Sequence, residues 1–217
     1  MFRSCPVEPI VEMQQTPSRF SEILPAVLSV SATSAQECRL AIDQAQTGDW
    51  TQAEITNYDD NGMLSQHVDL KARNVEVKGP TQIPTLCEWY CSLLTGLGAP
   101  IVRERWGISG LRLSGTQLAK YEVGSHIRPH NDTATEFSAR CVSALLYLNE
   151  DYEGGELIFP RLGATHRAKA GELVLFPSEY LHAVSPVLKG TRYCFVGFFL
   201  AEAFGNWAER LNQFRFD

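Results

Sequence analysis

His130 and Asp132 stand two positions apart in Pro129-His130-Asn131-Asp132, and His182 lies in a later segment, ten residues before Arg192. In an extended chain successive side chains alternate between faces, so an imidazole and a carboxylate two apart converge on one point. A second imidazole from another strand would complete one face of an octahedron and leave three positions open. Two histidines and one carboxylate with open positions is the arrangement of non-haem Fe(II) oxygenases. Zinc is more often held tetrahedrally with a single open position. Arg192 adds a second chemistry, because its planar guanidinium pairs with a carboxylate through two parallel hydrogen bonds. Each piece alone is weak: an isolated His-x-Asp is more often a surface turn, and a lone histidine as easily caps a strand end.

The rest of the chain must supply a scaffold for such a site. Its 217 residues suit one domain and can bury one sizeable core. The formal charge of -6 creates no basic field, so nucleic acid is not expected as a partner. No apolar run approaches the ~20 residues of a membrane span, so no membrane association is expected. Residues 1–20 carry Glu8, Glu12 and three prolines, a pattern unlike a secretory signal. The six cysteines form no Cys-x-x-Cys pair and read as free thiols in a reducing cytoplasm.

Residues 1–20 read as a tail or arm. Residues 23–30 predict a first strand, and Ser34-Ala35-Gln36-Glu37 a capping box opening a helix that buries Cys38, Ala41, Ile42 and Ala45 and stops at Gly48. Residues 50–56 predict a strand, 59–62 a turn, and 63–80 a loop with a short strand at 74–78. A second helix is expected from Thr81, with Ile83, Leu86, Cys87, Tyr90, Leu93, Leu94 and Leu97 on one stripe and Gly96 and Gly98 ending it. Beyond residue 108 the segments shorten. Strands are predicted at 111–122, 140–149, 156–160, 172–177, 182–187 and 192–200, separated by glycine-bearing turns. Many short strands with recurring turns indicate a sandwich or jelly roll. A last helix is expected over 203–214. The domain scheme is thus a tail over 1–20 and one domain over 21–217. That domain has helical support over 21–107, a β core over 108–200 and the terminal helix.

The core carries a specific resemblance. Tyr121-Glu-Val-Gly124, Pro129-His130-Asn-Asp132, Leu145-Leu-Tyr147-Leu-Asn149 and Gly154-Gly155-Glu-Leu-Ile-Phe159-Pro160 are followed by Gly171-Glu-Leu-Val-Leu-Phe176-Pro177, Leu181-His182-Ala-Val-Ser-Pro186-Val187 and Gly190-Thr191-Arg192-Tyr193. In this order, over residues 118–199, they resemble the catalytic core of the prolyl 4-hydroxylase family of Fe(II)/2-oxoglutarate dioxygenases. Residues 22–46 also resemble the helix that precedes this core. The resemblance implies an α+β, mainly β fold: a double-stranded β-helix (a cupin-like jelly roll) with supporting helices packed on one side.

Carried over residue by residue, it implies that His130, Asp132 and His182 hold Fe(II) and that Arg192 binds the distal carboxylate of 2-oxoglutarate. Tyr121 and Tyr147 match positions that lend hydroxyls to the same pocket; read from the residues alone, both are equally ordinary core tyrosines. Thr191 is a further hydrogen-bonding candidate. The implied reaction consumes O2 and 2-oxoglutarate, releases succinate and CO2, and hydroxylates an aliphatic carbon, with L-ascorbate keeping the iron reduced. Asp132 favours hydroxylation, since related halogenases lack this carboxylate. The expected substrate is a prolyl residue in a peptide or protein. The alternatives are a free amino acid or small metabolite, or a cupin-like metal-binding sensor without turnover.

Arg140 is a candidate for holding an acidic substrate, and His126 and Arg128 for lining the entrance, against the default of solvated surface residues. His67 and His166 show no convergent partners. Trp89, Trp106 and Trp207 read as core or cover, and the loops 57–80 and 133–139 as covering the entrance.

Overall fold

The capping box forms as predicted. Glu37 N donates to Ser34 Oγ (3.2 Å), and Ser34 N donates to Glu37 Oε2 (2.9 Å), opening helix α1 (Ala35–Ala45). α1 buries Cys38, Ala41 and Ala45 on its inward stripe. The computed structural model describes residues 20–58, 63–133 and 139–201. The expected tail (apart from Phe20), the turn at 59–62 and the helix at 203–214 lie outside the described residues.

Along the chain, β1 (Ser21–Leu24) and β2 (Val27–Ser31) precede α1, and β3 (Thr51–Gln52), β4 (Ile55–Tyr58), β5 (Leu64–His67), β6 (Arg73–Asn74) and β7 (Glu76–Lys78) follow it. Then come α2 (Pro84–Leu93), a π turn (Leu94–Gly98) and α3 (Ala99–Trp106). The core strands are β8 (Leu111–Tyr121), β9 (His126–His130), β10 (Arg140–Tyr147), β11 (Glu153–Gly154), β12 (Leu157–Phe159) and β13 (Ala164–His166). They continue with β14 (Glu172–Pro177), β15 (His182–Val184), β16 (Val187–Lys189) and β17 (Arg192–Ala201).

The strands form a major antiparallel sheet in the order β1-β2-β14-β10-β17-β8-β7-β3 and a minor one in the order β13-β12-β15-β9-β6. Two-stranded pairs β11-β16 and β4-β5 complete the set. This is the expected double-stranded β-helix. One face of the major sheet carries the helices: Val142, Ala144 and Leu146 of β10, Leu173 and Leu175 of β14, and Phe195 and Phe199 of β17 pack with Cys38, Leu86, Tyr90 and Ile101. The opposite parity faces the interior, where Leu145, Tyr147, Val174, Phe176 and Cys194 meet Leu157 and Phe159 of the minor sheet. Both faces are covered, so these strands are apolar almost throughout. The interior-facing parity decides which side chains can reach a site between the sheets.

Several boundaries differ from the sequence reading. Residues 23–30 are not one strand but the hairpin β1–β2, turning at Pro25-Ala26, where Ala26 takes φ 54°. The second helix does not end at Gly96 or Gly98; it passes through the π turn into α3. Pro100 has no N–H to donate to the preceding turn, and the ladder changes register there. Gly98 serves close packing instead of termination, since a Cβ on it would lie 3.0 Å from Phe199 Cζ. Segment 50–56 divides into β3 and β4, and 63–80 holds three short strands. Segment 182–187 divides into β15 and β16 at Ser185-Pro186. β9 was not expected, because His126-Ile-Arg-Pro-His130 has little strand propensity. Its Pro129 sits where the register against β15 slips.

The described cysteines are all free, and burial pushes the Cys38, Cys87, Cys141 and Cys194 thiols up to about 11. Among the described residues no helix is long and apolar enough to cross a membrane.

Candidate metal and cosubstrate site

His130 closes β9 and His182 opens β15, and the two strands pair them directly, with ring centroids 4.3 Å apart. Asp132 lies just beyond β9. Its Oδ1 is 3.5 Å from His130 Nε2 and its Oδ2 is 3.5 Å from His182 Nε2. The three potential ligand atoms all fall within 4.8 Å of one another. Each imidazole turns Nδ1 to a carbonyl, His130 to Arg128 O and His182 to Tyr180 O, both at 2.9 Å. A neutral ring must carry its proton on the nitrogen that faces a carbonyl, so both Nε2 lone pairs are left toward the carboxylate. Carbonyl partners of this kind are what orient metal-binding histidines.

Burial alone would raise the Asp132 carboxyl, but the adjacent imidazoles in their protonated form, His130 by hydrogen bond and both by charge, and the Ser143 hydroxyl outweigh it and hold it at about 2. Burial depresses His182, against the pull of Asp132. One carboxylate and two imidazole Nε2 atoms that face it make a donor set suited to a divalent cation. The His182 side chain is 6% exposed and His130 36%, so the cluster opens on the His130 side. Phe176 and Phe159 wall the closed side, with ring centroids 4.8 and 6.5 Å from that of His182.

Arg192 opens β17 on the interior parity and is 1% exposed. Its guanidinium carbon lies 4.2 Å from the Tyr121 ring centroid and 4.8 Å from that of Tyr147. Tyr121 is its cross-strand partner on β8. Its Nε and Nη1, and the Tyr147 hydroxyl, are buried without a hydrogen-bond partner. Burying a cation costs on the order of several kcal/mol unless an anion answers it. A buried guanidinium with unanswered donors beside an orphaned hydroxyl therefore fits an anionic ligand such as a carboxylate. Burial also pushes the Tyr147 hydroxyl well up, which keeps it a neutral donor.

Local sequence explains how Arg192 is seated. Gly155, at φ +65°, passes so close that a Cβ would lie 3.1 Å from Arg192 Cδ and 3.0 Å from Val187 Cγ2. Asn149 braces the approach to β17: its Oδ1 accepts from Tyr193 N (2.8 Å) and its Nδ2 donates to Thr191 O (2.7 Å).

Tyr121 and Tyr147 thus flank Arg192, whereas the Thr191 carbonyl is taken up by Asn149 Nδ2. Arg140 stands beside the triad, its guanidinium 3.8 Å from the Phe198 ring centroid and its Nη1 donating to Asp132 O (3.4 Å). The His126 ring sits between Gly124 O (3.1 Å) and Lys71 O (3.2 Å), bridging two loops. Arg128 is exposed. His67 is exposed on β5. His166, expected to lack a partner, has one: its Nε2 lies 2.8 Å from Glu172 Oε1, six positions on, where β13 of the minor sheet and β14 of the major sheet face each other. Trp89 and Trp106 pack on the helix-side core; Trp207 lies outside the described residues.

Residues to which the sequence reading gives no role in the site also build it: Ser143 and Ser178 against Asp132, Phe159 and Phe176 against His182, and Tyr152 beside Gly155 and Arg192. Ser143 alone had a signal, as the one serine inside the apolar run 141–148.

A family model described as the 2OG-Fe(II) oxygenase superfamily matches residues 116–200. The chain is 30% identical over 180 residues to a PKHD-type hydroxylase of Beijerinckia indica, covering 78% of this chain and 73% of the relative. In structure it is similar to a Pseudomonas putida prolyl-4-hydroxylase, with TM-score 0.62, 23% identity, and coverage of 82% of this chain and 93% of the other. A Trichoplax adhaerens prolyl hydroxylase, solved with a peptide of the hypoxia inducible factor oxygen degradation domain, aligns with TM-score 0.62 and 18% identity over 83% and 86% of the two chains.

Proposed function

The chain belongs to the 2OG-Fe(II) oxygenase superfamily and is a 2-oxoglutarate-dependent dioxygenase, and from that premise we propose that it hydroxylates a prolyl residue in a peptide or protein. His130, Asp132 and His182 would hold Fe(II), and Arg192 with the Tyr147 hydroxyl would hold the distal carboxylate of 2-oxoglutarate. Bound there, iron and 2-oxoglutarate supply O2 activation, with one oxygen atom passing to succinate and the other to an aliphatic carbon.

The chain's own residues bind, orient and exclude water. The Nδ1 bonds of His130 and His182 aim both Nε2 atoms inward. The Arg192 fork, held between two tyrosine faces, fixes one end of the cosubstrate so that the other end is directed to the metal ligands. Phe159 and Phe176 keep the His182 side dry. The open His130 side is where substrate would approach.

The observation that carries this reading is the buried, unanswered Arg192 with the orphaned Tyr147 hydroxyl inside the same sheet sandwich as the triad. A metal-binding sensor would have no use for a carboxylate site there. The prolyl substrate rests on the names of the similar proteins. Free thiols favour a reducing, cytoplasmic setting, and ascorbate is the proposed reductant of the iron. The test is succinate formation from 2-oxoglutarate by purified protein with Fe(II) and ascorbate, with prolyl peptides screened for a gain of one oxygen by mass spectrometry. Unchanged 2-oxoglutarate across a broad panel would overturn the reading. Turnover with free amino acids alone would reassign the substrate.

A further inference from the structure

Asp132 is held by no strand ladder, since β9 ends at His130. Three contacts from elsewhere hold it. Its N–H donates to Ser178 O (2.8 Å), its carbonyl accepts from Arg140 Nη1 (3.4 Å), and its Oδ2 accepts from Ser143 Oγ at 2.6 Å. Ser143 lies on the interior parity of β10, between apolar neighbours, and both Ser143 and Ser178 are 0% exposed. Their hydroxyl oxygens are 2.9 Å apart. A serine has one proton to give. Ser143 spends its proton on the carboxylate, so the bond between the serines must run from Ser178 to Ser143. The result is a one-way chain, Ser178 to Ser143 to Asp132 Oδ2, buried where such bonds are strong and costly to break.

This chain settles a choice that the distances leave open. Oδ1 and Oδ2 each lie 3.5 Å from one imidazole nitrogen, so proximity alone does not say which oxygen a metal would take. We infer that Ser143 is a positioning residue that reserves Oδ2, so that Asp132 offers a metal Oδ1 alone. The inference rests on the metal reading above. A carboxylate binding through both oxygens would occupy one of the positions that 2-oxoglutarate and O2 need. Ser143 keeps that position open.

The experiment uses the full chain, stripped of metal, with Co(II) as probe. Affinity is read by titration and coordination by the visible absorption spectrum, beside the melting temperature of the metal-free protein. Ser143→Ala is expected to weaken Co(II) by about 10–100-fold, the range for losing a partner of a metal ligand, and to change the spectrum as Oδ2 is released. Ser143→Thr, which keeps the hydroxyl, is expected to retain wild-type affinity and spectrum. In turnover, Ser143→Ala is expected to lower kcat more than it raises the KM for 2-oxoglutarate. Wild-type affinity and spectrum in Ser143→Ala overturn the inference while leaving the function intact. So does equal loss in the Thr variant, which would assign the effect to volume. Should Ser143→Ala fold poorly, Ser178→Ala removes the next hydroxyl in the chain; a lower melting temperature with an unmoved spectrum again means a structural role only. A wild type that binds no divalent metal overturns the functional reading and this inference together.

Discussion

His130 and His182 are cross-strand partners on β9 and β15, with ring centroids 4.3 Å apart. The minor sheet itself therefore sets the distance between two donors, and no flexible loop has to close. His182→Ala is expected to lower divalent-metal affinity by more than about 100-fold, since losing even a hydrogen-bond partner of a metal ligand costs about 10–100-fold. Equilibrium titration with Co(II) checks this; retained affinity would remove His182 from the ligand set.

Arg192 is a buried cation with two unanswered donors, so its presence costs stability until an anion binds. Arg192→Met is expected to weaken 2-oxoglutarate by roughly 10–100-fold, from loss of charged hydrogen bonds. The same change should leave the melting temperature without 2-oxoglutarate equal or higher, because an apolar chain of similar length replaces a desolvated charge. Calorimetric binding and thermal melts read the two effects separately. A lower melting temperature with unchanged binding would make Arg192 a structural residue.

The Tyr147 hydroxyl is orphaned beside the same guanidinium. Tyr147→Phe is expected to cost about 10-fold in 2-oxoglutarate affinity, the scale of one hydrogen bond to a charged group, with no loss of ligand-free stability. Combined with Arg192→Met, the two losses should not add, since both act on one carboxylate. Additive losses in the double variant would place the tyrosine elsewhere in the binding path.

Glu172 ties the two sheets together. It accepts from Ser29 Oγ (2.6 Å) and Lys169 N (2.8 Å) and lies 2.8 Å from His166 Nε2. Burial pushes its carboxyl up, but these bonds outweigh it and hold it below the ordinary 4.5. A carboxyl depressed on folding adds stability that is present above 4.5 and drains away as pH falls from there through the lower folded value. Glu172→Gln is expected to cost about 1–2 kcal/mol at pH 7 and to flatten the stability profile below pH 5. Urea unfolding at a series of pH values checks both; an unchanged acid limb would mean that other carboxylates dominate it.

The chemistry of this chain was legible in one dimension because it uses residue types with few alternatives. A His-x-Asp pair, a later histidine and an arginine ten residues on can be read by kind and spacing, and the turn glycines and capping box by local backbone needs. The α+β, jelly-roll class was legible too, since recurrent short apolar segments leave few other folds. What the letters did not carry was everything made by pairing. β9 has poor strand propensity and exists because β15 and β6 accept it on either side. Gly98 reads as a helix stop but answers a ring from β17, and His166 reads as isolated but meets Glu172 across the two sheets. Most of all, residue kind and spacing name the candidate ligands, whereas the direction in which each one is aimed is a product of the folded sheets. Asp132 stands outside any strand, so its direction comes from Ser143 and Ser178, eleven and forty-six positions away. Hydrogen bonds between residues so far apart leave no periodic trace in a sequence; they appear only when the sheets bring their donors and acceptors into contact.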